Sequence, residues 1–181
     1  MRNILLLDDF VIDYFCRIDS NSKFFKHMVD LLDQRIAEHI YIVLVIYKEK
    51  MSSNVLSEMV EKGKRYYFIE AMDPSLPDSI ILGYSAAQMD WAVNSEGELW
   101  ASVVGNNMLY SNGYEQRRLL FNDGPFTAAF SDKSPSRLGD FIGLQIVRSF
   151  MTNNDVSLNE LLTMTDAQDI FQRSRYKPPK R

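Results

Sequence analysis

Between Ser136 and Met151, the side chains of Leu138, Phe141, Ile142, Leu144, Ile146, Val147, Phe150 and Met151 cover nearly the whole circumference of a helix. A helix that is apolar all round must be buried among other elements, so this segment constrains the rest of the chain more than any other. Ser134 followed by Pro135 reads as an N-cap with proline at the first helical position, opening a helix over 136–151. Gly139 and Gly143, four residues apart, would only weaken such a helix. Their presence predicts that a neighbouring element approaches its backbone closely.

The surrounding sequence supplies helices to cover it. Ser85 with Gln88 forms a capping box, and Tyr84 with Met89 a hydrophobic staple across it. From there Met89, Ala92, Val93, Leu99, Trp100, Val103 and Val104 recur at helical spacing to about Asn107. Leu56, Met59, Val60, Gly63, Tyr67 and Ala71 predict a helix over 54–72, ended by Pro74 and Pro77. Ser157 with Glu160 is a second capping box, and Thr165 with Gln168 a third, so the C-terminal part reads as two short helices in series. Phe24, Phe25, Met28, Leu31, Leu32 and Ile36 keep helical intervals over 24–39. The β-branched and aromatic run Ile40 to Tyr47 would suit a buried strand, but a single strand would lack a partner, so it too reads as helix. Residues 112–133 lack periodicity and hold Gly113 and Gly124-Pro125, which predicts a long loop. The expectation is a mostly α-helical chain forming a single helical domain over 1–181.

Two histidines and one cysteine restrict the chemistry open to this chain. Cys16 alone can form neither an internal disulfide nor a multi-cysteine metal site. On one continuous helix, His27 and His39 would lie about 18 Å apart, at about 1.5 Å per residue, too far to share a metal. They read as surface or capping histidines. Asp8, Asp9 and Asp13 do not match the spacing of an EF-hand loop and read as a solvated acidic turn. No cofactor is expected. The apolar run at Ile40 to Tyr47 is far short of the roughly 20 residues of a membrane span. Asp8 and Asp9 interrupt the apolar N-terminal stretch, and Cys16 follows Asp13-Tyr14-Phe15 rather than small residues, so the chain as given carries no export signal.

Charge is unevenly distributed. Arg173, Arg175, Lys177, Lys180 and Arg181 fall in the last nine residues without an acid, which leaves 15 basic against 24 acidic residues before them, a net −9. An acidic body with a short basic end is not a nucleic-acid footprint, and no nucleic-acid partner is expected. The basic tail over 173–181 reads as a solvated terminus or as a peripheral contact with anionic lipid.

One ordered set of motifs is more specific. It runs Met59-Val60-Glu61-Lys62-Gly63-Lys64, Tyr67-Phe68, Gly83-Tyr84, then Trp91, Glu96 and Trp100, then Leu109-Tyr110-Ser111 and Gly124-Pro125-Phe126. It continues through Ser134-Pro135-Ser136-Arg137-Leu138-Gly139 and Ile146-Val147-Arg148-Ser149 to Ser174-Arg175-Tyr176-Lys177-Pro178. In order and spacing this resembles the gliding-motility lipoprotein family, member B, of bacterial cell envelopes. The likeness is strong from Ser53 onward and weaker around Leu7-Asp8-Asp9-Phe10 and Phe24-Phe25 to Gln34-Arg35. The resemblance implies an envelope-associated protein of a motility or surface-secretion apparatus, with envelope or motility-apparatus proteins as partners. It also implies a lipidated cysteine and an N-terminal region that the chain as given lacks.

The resemblance extends distantly to predicted zinc peptidases, in which a His-Glu-x-x-His helix is followed by a further glutamate ligand. That glutamate position carries Lys62 here, and the stretch from Leu7 to Asp13 holds no histidine. Where the family usually has Asn and Gly, this chain has Ser95 and Ser136. Zinc needs three or four N, O or S ligands, and spacing assembles no such set. The resemblance therefore implies a metallopeptidase-like helical fold without its metal site, and no catalytic residues. The alternative is a degenerate or unusual zinc-dependent peptidase using Glu96.

Glu96 lies on the same stripe as Met89, Val93, Trp100 and Val103, which puts a carboxylate on a face that should be buried. Such a charge must be paired or hydrogen-bonded. It reads either as the relic of a catalytic or ligand-binding acid or as a structural ion pair with Arg137 or Arg148. Glu70 holds a similar stripe position near its helix end, where exposure is expected. Trp91 and Trp100 at helical spacing suit a core, though aromatics also suit interfaces. Tyr66, Tyr67 and Phe68 are consecutive, so one of them must leave the core. Trp91 and Tyr66 are accordingly the candidate partner surface.

Overall fold

The computed structural model describes residues 54–127 and 130–179. The described residues all belong to one compact unit, Ser52–Arg181. The expected helices at 24–39 and 40–47, with Cys16, His27, His39 and the N-terminal aspartates, lie outside them. The described residues form seven α-helices and no strand: α1 Val55–Met72, α2 Asp78–Leu82, α3 Ala86–Gly105, α4 Tyr114–Phe121, α5 Leu138–Asn153, α6 Leu158–Thr163 and α7 Ala167–Ser174.

The all-round apolar helix, α5, is the axis on which the others pack. Its Leu138, Phe141, Ile142, Leu144, Ile146, Val147 and Phe150 are fully buried, and α1, α3, α4 and α7 all contact it. The α1–α5 contact is the most extensive, and the glycines explain how it closes. A Cβ built on Gly143 would fall on the Met59 carbonyl, and one on Gly63 would fall on the Gly143 carbonyl. The two helices therefore meet backbone to backbone. Gly139 serves the same end against α4, since a Cβ there would enter the Phe121 ring.

The helix starts follow side-chain chemistry. Asn54 Oδ1 accepts from Ser57 N at 2.9 Å, while the next free amides of α1, Val55 N and Leu56 N, donate to the carbonyls of Ser111 and Leu109. The first turn of α1 is thus completed by the loop after α3. Capping boxes at Ser85/Gln88 and Ser157/Glu160 open α3 and α6 as expected. Gly83, at φ 69°, ends α2. The buried series Ala92, Glu96, Leu99 and Val103 is the inner stripe of α3, whereas Val104 is exposed.

Three expectations are corrected. Helix α5 begins at Leu138, not Ser136, because Ser134 is engaged elsewhere. Its Oγ donates to Ser131 O at 2.6 Å and accepts from Thr127 N at 3.0 Å, while Thr127 Oγ1 donates to Pro135 O at 2.8 Å. Ser134 ties the loop into a knot, and the helix starts only after Arg137 turns through the left-handed region at φ 53°. Thr165 does not cap α7; Asp166 Oδ1 does, accepting from Gln168 N and Asp169 N at 2.9 and 3.1 Å. A charged carboxylate next to the hydroxyl is the stronger acceptor for a helix start. The stretch 112–133 is not all loop, for it contains α4. That helix has no side-chain cap and buries only Leu120 and Phe121, so its local signal is weak. Tertiary contacts hold it, among them Arg117 Nε on Glu58 Oε2 of α1 at 2.7 Å.

Candidate functional site

The polar centre of the described fold lies at the start of α5. Asp140, in the first turn, is 1% exposed and surrounded by apolar neighbours in sequence. A carboxylate there sits at the positive end of the helix dipole, which favours its charge. Lys62 and Tyr66, four residues apart on α1, reach it from one helical face. Tyr66 OH donates to Asp140 Oδ2 at 2.8 Å. Lys62 Nζ stands 3.4 Å from Asp140 Oδ1, close enough for charge attraction but without a hydrogen bond to that oxygen. The same ammonium lies 5.4 Å over the Phe121 ring.

Arg137 completes the cluster through its backbone and its guanidinium. A non-glycine residue in the left-handed region costs roughly 1–2 kcal/mol. That conformation is held by Tyr84 OH, which donates to the Arg137 carbonyl at 3.1 Å, and by Arg137 Nη2, which donates to Leu82 O at 3.0 Å. Arg137 Nε lies 3.3 Å from Asp123 Oδ1, a pair weakened by the exposure of Asp123. Burial pushes the Tyr66 and Tyr84 hydroxyls well above the usual phenol range, reinforced by the Asp140 charge. Burial opposes the Arg137 charge, but Tyr66, Asp140, Asp123 and Tyr84 more than offset it and raise its pKa above the ordinary arginine value. The two phenols therefore stay protonated and Arg137 stays charged at neutral pH.

The residues singled out from sequence fall in three separate places. Glu70 and Arg148 do meet. Arg148 Nε donates to Glu70 Oε2 at 2.9 Å, and its Nη1 and Nη2 form a fork on Asp78 at 2.7 and 2.6 Å. Glu70 is thus partly covered and paired, tying the end of α1 and the start of α2 to α5. Burial works against the Arg148 charge, and the two carboxylates overcome it and raise its pKa.

Glu96 pairs with neither Arg137 nor Arg148, since both guanidinium groups are engaged elsewhere. Its Oε1 accepts from Tyr176 OH at 2.8 Å, a residue 80 positions away near the end of the chain. The Tyr176 ring packs edge-on against Trp100 at 5.1 Å, and Trp100 meets Phe171 at 5.6 Å. Burial, then the Glu96 charge, raises the Tyr176 pKa, so the phenol stays a donor. Trp100 and Trp91 are both half-buried and packed against the core. Tyr66, expected as a partner contact, turns its hydroxyl inward to Asp140; of the three consecutive aromatics Phe68 is buried, and Tyr66 and Tyr67 are partly covered.

Sequence reasoning assigned no polar role to Asp140, Tyr84, Tyr176, Asp78 and the buried Lys64. Lys64 Nζ donates to Met164 O at 2.8 Å and lies 2.7 Å from Glu61 Oε1, pinning the loop between α6 and α7. Asp140 was the most findable of these, a lone carboxylate in a helix apolar on every side.

Among the described residues no group of three or more His, Cys, Asp or Glu is placed to hold a metal ion. An open cavity of about 410 Å³ lies at the end of α3, lined by Val104, Asn107, Leu109, Tyr110 and Ser111. Tyr110 of that lining is 54% exposed, and Tyr114 at the start of α4 is 75% exposed. No helix among the described residues is long and apolar enough to cross a membrane.

Comparison with known protein families matches residues 26–178 to the family described as gliding motility protein GldB. No curated protein and no solved structure matches the chain.

Proposed function

The chain belongs to the gliding motility protein GldB family, and from that premise we propose that it is a non-catalytic component of the cell envelope that acts by binding other proteins. Family membership supports the envelope and motility setting. The observation that carries the non-catalytic part is the state of Lys62, whose ammonium is drawn to Asp140 and lies over Phe121. The position that the distant peptidase resemblance assigns to an acidic ligand is thus held by a cation built into the fold. The binding part is supported by Val104, Tyr110 and Tyr114, apolar or aromatic side chains left exposed at one end of α3, in the loop after it and at the start of α4.

The test is photo-crosslinking from positions 110 and 114 in envelope fractions, followed by affinity purification of the full chain. A reproducible protein partner, lost in the Tyr110→Ala/Tyr114→Ala variant, is the expected result. Failure to recover one, or recovery unchanged in that variant, overturns the binding role. The non-catalytic role fails if purified protein holds about one equivalent of zinc and hydrolyses peptides in a chelator-sensitive way.

A further inference from the structure

The basic end of the chain is not a loose tail as far as it is described. Ser149 Oγ and Asn153 Nδ2 both donate to the Ser174 carbonyl at 2.8 Å, and Asn154 Nδ2 donates to the Arg173 carbonyl at 3.2 Å. The last turn of α5 thereby grips the last turn of α7. Tyr176 is then buried, bonded to Glu96 and packed on Trp100, and the Pro179 carbonyl lies against Gly97 of α3. The segment after α7 runs along a fixed track.

Its side chains alternate. Tyr176 points in, whereas Arg175 and Lys177 on either side are exposed. Arg173 is already used, on Asp169 at 3.1 Å and over the Phe150 ring at 5.1 Å. Among the described residues Arg175 and Lys177 have no acidic partner within ion-pair distance. Lys180 and Arg181 follow in sequence. We propose that this anchored strip, whose Arg175 and Lys177 meet no acid among the described residues, docks the C-terminal end of the chain on an anionic lipid surface.

The chemistry favours a lipid surface over other anionic partners. Nucleic-acid bases need aromatic platforms, and the one aromatic of the strip is turned inward. A specific acidic peptide needs a fork of donors converging on one carboxylate, and Arg175 and Lys177 are separated by the inward-turned Tyr176. A plane of diffuse negative charge needs only several cations held on one side, each contributing about a five-fold gain in partitioning. The rest of the chain carries a net −9, which the same plane repels.

The experiment is co-sedimentation of the full chain with phosphatidylcholine vesicles, with and without phosphatidylglycerol, at low and at raised salt. Binding is expected only to vesicles containing phosphatidylglycerol, weakening with salt. The Arg175→Gln/Lys177→Gln variant should bind about 25-fold less tightly, from two lost charges. Lys180→Gln/Arg181→Gln should also lose affinity, in a variant that leaves the anchored track untouched. Arg118→Gln/Lys133→Gln makes the same change in net charge elsewhere and should bind within about two-fold of the parent. The proposal is overturned if the chain ignores anionic vesicles, if the Arg175/Lys177 variant binds as the parent does, or if the Arg118/Lys133 variant loses as much. It is also overturned if the strip captures polyglutamate but not vesicles, which would make it a site for acidic protein.

Discussion

The crossing of α1 and α5 makes one substitution change sign with position. Gly143→Ala in α5 and Gly97→Ala in α3 are chemically identical and both lie inside helices. Each gains about 1 kcal/mol in helix propensity and reduced unfolded-state entropy. At Gly97 the new methyl group would sit 3.7 Å from the Pro179 carbonyl, an ordinary contact, so that gain should appear as added stability. At Gly143 it would fall on the Met59 carbonyl, a backbone atom that no rotamer change can move aside. Relief requires α1 and α5 to separate by about 1 Å along the largest interface of the described fold, and overpacking of this kind costs about 3 kcal/mol at the upper end of its usual range. The net expectation is a loss of about 2 kcal/mol, or roughly 4–8 °C in Tm for a chain of this size. Thermal and urea unfolding of the full chain, followed by circular dichroism at the helical band, reads both variants. Gly143→Ala as stable as the parent would refute backbone-to-backbone packing, and Gly97→Ala showing an equal loss would show that the sign does not follow the contact.

Further substitutions test the buried polar groups. Tyr176→Phe leaves the Glu96 carboxylate buried without its donor and should cost about 1–3 kcal/mol in urea unfolding; Glu96→Gln keeps an acceptor and should cost less. Asp140→Ala removes the partner of both Tyr66 and Lys62 and should cost about 3 kcal/mol, whereas Asp140→Asn should recover part of it by accepting from Tyr66. The Glu160 carboxylate is held below its ordinary pKa of 4.5 by the side-chain and backbone hydrogen bonds of Ser157. A lowered folded-state pKa contributes stability above the unfolded value that is lost as pH falls through the folded one. The Tm difference between parent and Glu160→Ala should therefore be full above about pH 4.5 and narrow below it.

How much of the fold was legible follows from where each signal resides. Capping boxes are contacts three residues apart, so Ser85/Gln88 and Ser157/Glu160 could be read without tertiary knowledge. The all-round apolar pattern of α5 and its glycine pair stated in advance that a neighbour would come close, and the backbone contact with α1 is what they encode. Helix α4 was invisible because its local terms are weak; it rests on the Glu58–Arg117 pair and on the space Gly139 leaves for Phe121. The start of α5 misled for a related reason. Ser134-Pro135 has the composition of a cap, but the hydroxyl bonds that decide it run to Thr127 and Ser131 in the loop.

The polar sites obey the same rule more severely. Burial of Glu96 could be read from its stripe, because burial is a one-helix property. Its partner could not, because the choice between Arg137, Arg148 and Tyr176 depends on where three other elements direct their side chains. Charge complementarity suggested an arginine, yet each arginine is engaged elsewhere: Arg148 satisfies two carboxylates at once, and Arg137 donates to the Leu82 carbonyl near its own left-handed turn. A phenol then suffices for Glu96, since a neutral donor satisfies a buried carboxylate without requiring a second desolvated charge. The consequence reaches beyond α3. By bonding Tyr176, Glu96 fixes the segment that displays Arg175 and Lys177, so the acid first considered as a relic of catalysis becomes the anchor of the chain's basic end. Tyr176→Phe should therefore weaken binding to anionic vesicles although it removes no positive charge, and unchanged binding would show that the strip works without its anchor.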